Sequence, residues 1–104
     1  MKEQRFELGM VVATPGALDL MDQYLEAAAN VLSRHQSGDW GQVCAEDARE
    51  NELSVREGFR ILSVYQLDQA LAVAAREPAD SQAQLWIITE ADRSSTCLLL
   101  PSEY

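Results

Sequence analysis

Leu85-Trp86-Ile87-Ile88-Thr89-Glu90-Ala91-Asp92-Arg93-Ser94-Ser95-Thr96-Cys97-Leu98-Leu99-Leu100 reads as two short apolar strands joined by a charged loop. With the loop at residues 91–94, Thr89 faces Thr96, Ile87 faces Leu98 and Leu85 faces Leu100 on one side of the hairpin. Glu90 with Ser95, Ile88 with Cys97 and Trp86 with Leu99 share the other. Cross-strand pairs on one face are the unit of sheet stability, and almost every pair here is apolar. The hairpin therefore belongs in the middle of a sheet, with both faces in need of cover.

Outward from the hairpin, the chain supplies material for one layer of helices. Phe6, Leu8, Met10 and Val12 alternate with Glu7 and Gly9, the period of a half-buried strand. Thr14 is placed to cap a helix, and Pro15 suits its first position, where the missing N–H has no partner to lose. Leu18, Met21, Leu25, Ala28, Leu32 and His35 recur at spacings of three and four, predicting one helix that ends at Gly38. Asp39 and Asp47 are candidate caps for a second helical segment, thin in apolar residues and dense in charge from Glu46 to Glu57, which closes at Gly58. Residues 60–67 are β-branched and aromatic enough for a further strand. Residues 68–84 are Ala-rich and far longer than a hairpin turn needs, predicting a helical or flexible insertion. Pro101 stops the last strand.

These pieces predict a single α+β domain over residues 1–104, in the order β-α-α-β-β-β. An antiparallel sheet carries two helices on one face. Two helices cover only one face. The set Trp86, Ile88, Cys97 and Leu99, or else the set Leu85, Ile87, Leu98 and Leu100, then stays partly bare unless the 68–84 segment or a second copy covers it. A homodimer is the expected solution.

Composition narrows the classes of function. With 8 Lys and Arg against 17 Asp and Glu in 104 residues, the net charge is -9, which repels phosphate backbones and anionic lipid, so a nucleic-acid partner is not expected. Cys44 and Cys97 have no ligand spacing and there is one His, so no metal site and no cofactor is predicted, and both thiols are expected to be reduced and buried. No apolar run is long enough to span a bilayer, and Met1-Lys2-Glu3-Gln4-Arg5 is not followed by the apolar core of a secretion signal. A cytoplasmic location with no membrane contact is the expectation.

The order of elements is similar to that of the small ribosome-dependent ribonuclease toxins and, less closely, of barnase-type nucleases. A second resemblance lies in the sequence itself. Thr14-Pro15-Gly16-Ala17-Leu18, His35-Gln36-Ser37-Gly38-Asp39-Trp40-Gly41, Gly58-Phe59-Arg60-Ile61-Leu62-Ser63-Val64-Tyr65, the Trp86 to Thr96 segment and Leu100-Pro101-Ser102-Glu103-Tyr104 resemble a family of small proteins of bacterial plasmids, integrons and other mobile elements. That resemblance implies a genetic context rather than a mechanism, and the 68–84 insertion departs from it.

Two functional readings follow. The first is a non-enzymatic protein–protein binding module, with Asp39, Trp40 and Arg60 as candidate binding residues and the acidic helical face as a possible partner surface. Trp40, close to Gly38 and Gly41, reads as a lid on the core or as a recognition anchor. The second is a small nuclease-like or other hydrolytic enzyme using His35, Glu90, Asp92 and Arg93: an imidazole at a helix end as the base, carboxylates as acid and base, and a guanidinium for an anion. The second reading requires those four side chains to converge in one pocket.

Overall fold

In the computed structural model, residues 3–67 and 83–104 are described. The elements run β1 (Met10–Ala13), α1 (Pro15–Gln23), α2 (Ala28–Ser37), α3 (Ala45–Glu57), β2 (Ile61–Gln66), β3 (Gln84–Thr89) and β4 (Ser95–Leu99), followed by a 3-10 turn at Pro101–Glu103. The fold is α+β, with three helices and a four-stranded mixed sheet in the order β1-β4-β3-β2.

The hairpin stands as its sequence implies. β3 and β4 are the two central strands, antiparallel, in the register Trp86 with Leu99, Ile87 with Leu98, Ile88 with Cys97 and Thr89 with Thr96. β2 adds to β3 antiparallel, pairing Ile61 with Thr89 and Tyr65 with Leu85. The expectation of a purely antiparallel sheet is corrected by β1, which runs parallel to β4 with Val11 beside Thr96 and Ala13 beside Leu98. Residue alternation records which side chains share a face, and it is silent on strand direction.

β1 is also shorter than the predicted 6–12 strand. Gly9 adopts a φ of +66°, and a Cβ there would strike the backbone of Arg93 and Ser94, so the chain bends before Met10. The single predicted helix through residues 18–35 is two helices. Leu25 sits between them at a φ of 55°, a left-handed turn without glycine. The predicted caps at Asp39 and Asp47 give way to Cys44, whose sulfur accepts from the Asp47 N–H at 3.4 Å. Cys44 is therefore an exposed cap rather than a buried thiol, and Cys97 is half-buried. Both are free. The expected insertion at 68–84 lies outside the described residues except for its last two. Of these, Ala83 accepts from the Leu67 N–H and Gln84 begins β3.

The core joins α1 and α2 to one sheet face: Ala17, Leu20, Met21 and Val31 pack with Tyr65, Leu67, Leu85, Ile87 and Leu98. Of the two apolar sets, this is the one beneath helices. The opposite set is not bare either, since Ile88 and Leu99 are buried, Trp86 and Cys97 are half-buried, and the Tyr104 ring leans on Trp86 at 5.6 Å.

α3 does something else. Its buried residues, Asn51 and Ser54, are polar because it lies against a strand edge. Asn51 donates through Nδ2 to the Leu62 carbonyl (2.7 Å) and accepts from the Leu62 N–H (3.2 Å), closing both outward peptide groups of that residue. Two residues along, the Val64 N–H donates to the Trp40 carbonyl and the Val64 carbonyl accepts from the Gln42 N–H. The outer edge of β2 is thus capped by the chain itself.

Candidate functional site

The last turn of α2 carries His35 onto the buried sheet face, where Ser63 of β2, Thr89 of β3 and Thr96 of β4 all project. The ring is wholly buried and both nitrogens are engaged, Nδ1 with the Ser63 hydroxyl at 2.6 Å and Nε2 with the Thr89 hydroxyl at 2.9 Å. Thr89 continues to Thr96 at 2.7 Å, and Thr96 donates to the Leu8 carbonyl at 2.8 Å.

That carbonyl can only accept, which orders the donors from Thr96 back to the imidazole Nε2–H. Thr96 gives its proton to Leu8 and so accepts from Thr89. Thr89 in turn accepts from Nε2–H. With burial keeping the ring neutral, Nδ1 holds a lone pair that accepts from the Ser63 hydroxyl. The imidazole is neutral, and burial pushes its pKa down to about 3, with the nearby Arg93 charge adding to the effect. The helix C-terminus favours a charged imidazole, but the cost of taking that charge out of water outweighs the attraction.

Residues 3–9 lie over this polar box as a strap. The Phe6 ring meets His35 edge-on at 5.1 Å and stacks on Trp40 at 6.2 Å, and the Arg93 guanidinium sits 5.7 Å from its centroid. Gln36 donates to the Phe6 carbonyl, the Arg5 N–H donates to the Gln36 carbonyl, and the Arg5 side chain pairs with Glu52 at 2.7 Å. Trp40 is buried under the strap and donates its indole N–H to Glu52 at 3.1 Å. It occupies the lid position rather than that of an exposed anchor.

The other predicted residues take structural contacts. Arg93, in a left-handed conformation at φ 60°, donates to the carbonyls of Phe59, Glu90 and Ala91 through one terminal nitrogen and of Ser54 through the other. It thereby ties the hairpin loop to the C-terminal turn of α3. Asp92 accepts from the Ser94 N–H at 3.0 Å and is exposed. Glu90 pairs with Arg60 at 3.2 Å, and Arg60 also reaches the Tyr104 hydroxyl. Asp39 pairs with Arg34 at 2.7 Å, while its carbonyl accepts from the Tyr65 hydroxyl.

His35 and Arg93 therefore approach the same ring, Phe6, whereas Glu90 and Asp92 lie on the outer side of the loop. A cavity of about 340 Å³ is lined by Gln4, Arg5, Phe6, Glu7 and Gln36, and none of the four residues borders it. Among the described residues no three His, Cys, Asp or Glu side chains are grouped as a metal ion requires.

Unclaimed surface lies at the other sheet edge. The Met10 N–H donates to Ser94 and the Thr14 N–H to Leu98, both at 3.0 Å, so the ladder to β4 uses alternate residues. The peptide groups of Val11 and Ala13 point outward, and among the described residues nothing pairs with them. Met10 is 70% exposed, and Val11 and Val12 are each 44% exposed. From Leu8 to Leu18 there is no charged residue. Reading the sequence for chemistry missed this edge, although the charge-free run was its signal. No helix among the described residues is long and apolar enough to cross a membrane. No family model matches the chain, and neither a curated protein nor a solved structure matches it.

Proposed function

We propose that this chain is a protein–protein binding module that engages its partner by strand addition at the outer edge of β1. The observation that carries the reading is the contrast between the two sheet edges. β2 is closed by Asn51 and residues 40–42, while β1, where Met10, Val11 and Val12 are exposed, presents the peptide groups of Val11 and Ala13 without a partner among the described residues. Natural edges are blunted by shortness, charge, proline, bulges or cover; β1 is four residues long, holds no charged residue or proline, and nothing among the described residues pairs with its open side. An added strand gains affinity from main-chain hydrogen bonds and selectivity from alternate side chains. The resemblance to small mobile-element proteins supports a bacterial context and does not name the partner.

Val11→Pro tests the reading, because it removes an outward N–H and leaves the ladder to β4 intact. Peptides selected from a random displayed library against the wild-type chain are expected to alternate apolar residues and to lose binding at least about tenfold on Val11→Pro. Peptides that bind the variant as well as the wild type, or a selection that enriches none, would contradict it.

A further inference from the structure

We infer that the segment β1 accepts is an extended, apolar-centred strand of another protein with lysine or arginine at both ends, rather than a second copy of this chain. The inference rests on the strand-addition reading and adds to it the chemistry of the occupant.

Charge distribution around the edge supports it. Residues 6–33, which hold β1, α1 and the start of α2, contain four carboxylates (Glu7, Asp19, Asp22 and Glu26) and no Lys or Arg. Glu7 is exposed just before the strand, and Asp19 and Asp22 are exposed on the helix that leaves its far end. Glu103 stands at that end as well, its carboxylate accepting from the Thr14 hydroxyl and from the Leu100 N–H. Four guanidinium groups are occupied elsewhere: Arg5 with Glu52, Arg34 with Asp39, Arg60 with Glu90, and Arg93 on backbone carbonyls.

An apolar strip with acidic ends is therefore complementary to an apolar strand with basic ends. Two copies meeting antiparallel at β1 would set Glu7 of each toward the strand end where Glu103 of the other stands, and each brings a net charge of -9.

The test uses the whole chain and three fluorescein-labelled peptides sharing an alternating Val/Thr centre: one with lysines at both ends, one with glutamates, and the lysine peptide N-methylated on alternate amides. Anisotropy at about 50 mM salt should show the lysine peptide binding at least about tenfold tighter than the glutamate peptide. The gap should close by about 500 mM salt, and N-methylation should abolish binding. Equal binding by the lysine and glutamate peptides, lost on N-methylation, would overturn the charge inference and leave strand addition standing. Light scattering separates the remaining outcomes. If no peptide binds and the chain is a dimer that Val11→Pro dissociates, the occupant is a second copy and the inference falls alone. If no peptide binds and the chain is monomeric, strand addition falls with it.

Discussion

Leu8 contributes only a carbonyl to the polar chain beneath the strap, yet that carbonyl orients Thr96, Thr89 and His35 in turn. With burial keeping the ring neutral, the imidazole has a defined tautomer, and its burial makes stability depend on pH. An unfolded histidine binds its proton near pH 6.5 while the folded one does so only near 3, so between those values the unfolded state holds the extra proton. Stability is therefore full above pH 6.5 and declines at up to about 1.4 kcal/mol per pH unit as pH falls towards 3. Urea unfolding from pH 6.5 to 5.5 should show the onset of this decline, before the carboxylates titrate, and His35→Gln should remove it. Equal pH dependence in the two proteins would contradict the assignment.

The serine and threonines were legible only in part. Thr89 and Thr96 could be placed opposite each other from the hairpin alone. Their need for a partner three elements away could not be read, because the chain does not record which helix residue lands over which strand.

At the scale of elements, the largest misreading was the helix through residues 18–35. Its stripe of Leu18, Met21, Leu25, Ala28, Leu32 and His35 is periodic, and no Gly or Pro interrupts it. The break at Leu25 comes from packing: the residues that reach the core are Ala17, Leu20 and Met21 from α1 and Val31 and His35 from α2. Leu25 is left 91% exposed in a left-handed conformation. Leu25→Gly is expected to raise stability by about 0.5–1 kcal/mol, since the strain is relieved and almost no burial is lost. Unchanged or lower stability in urea unfolding would argue against a strained turn.

The thin apolar stripe of α3 was visible in the sequence and its reason was not. A helix that docks on peptide groups needs Asn51 and Ser54 where one that docks on a sheet face needs Leu. Asn51→Ala leaves the outward N–H and carbonyl of Leu62 unpaired, and a loss of about 2 kcal/mol is expected. A loss under about 0.5 kcal/mol would show that water replaces Asn51 without cost.

For the molecule as a whole, the central hairpin, its register and the α+β class followed from alternation and apolar pairing, because those patterns are local. The parallel seat of β1 did not, and with it went the location of the free edge. Among the described residues one uncharged strand edge is left open on a protein of net charge -9, while the opposite edge is sealed by the chain's own residues. That asymmetry is the basis of the binding reading.

The most direct test is a residue-resolved amide spectrum of the chain, titrated with the lysine-ended peptide. The account predicts that the Val11 and Ala13 amides shift most and become protected from exchange, with Leu62 and Val64 unmoved. Shifts concentrated on the charged face of α3, or at the strap over His35 with β1 unchanged, would contradict it.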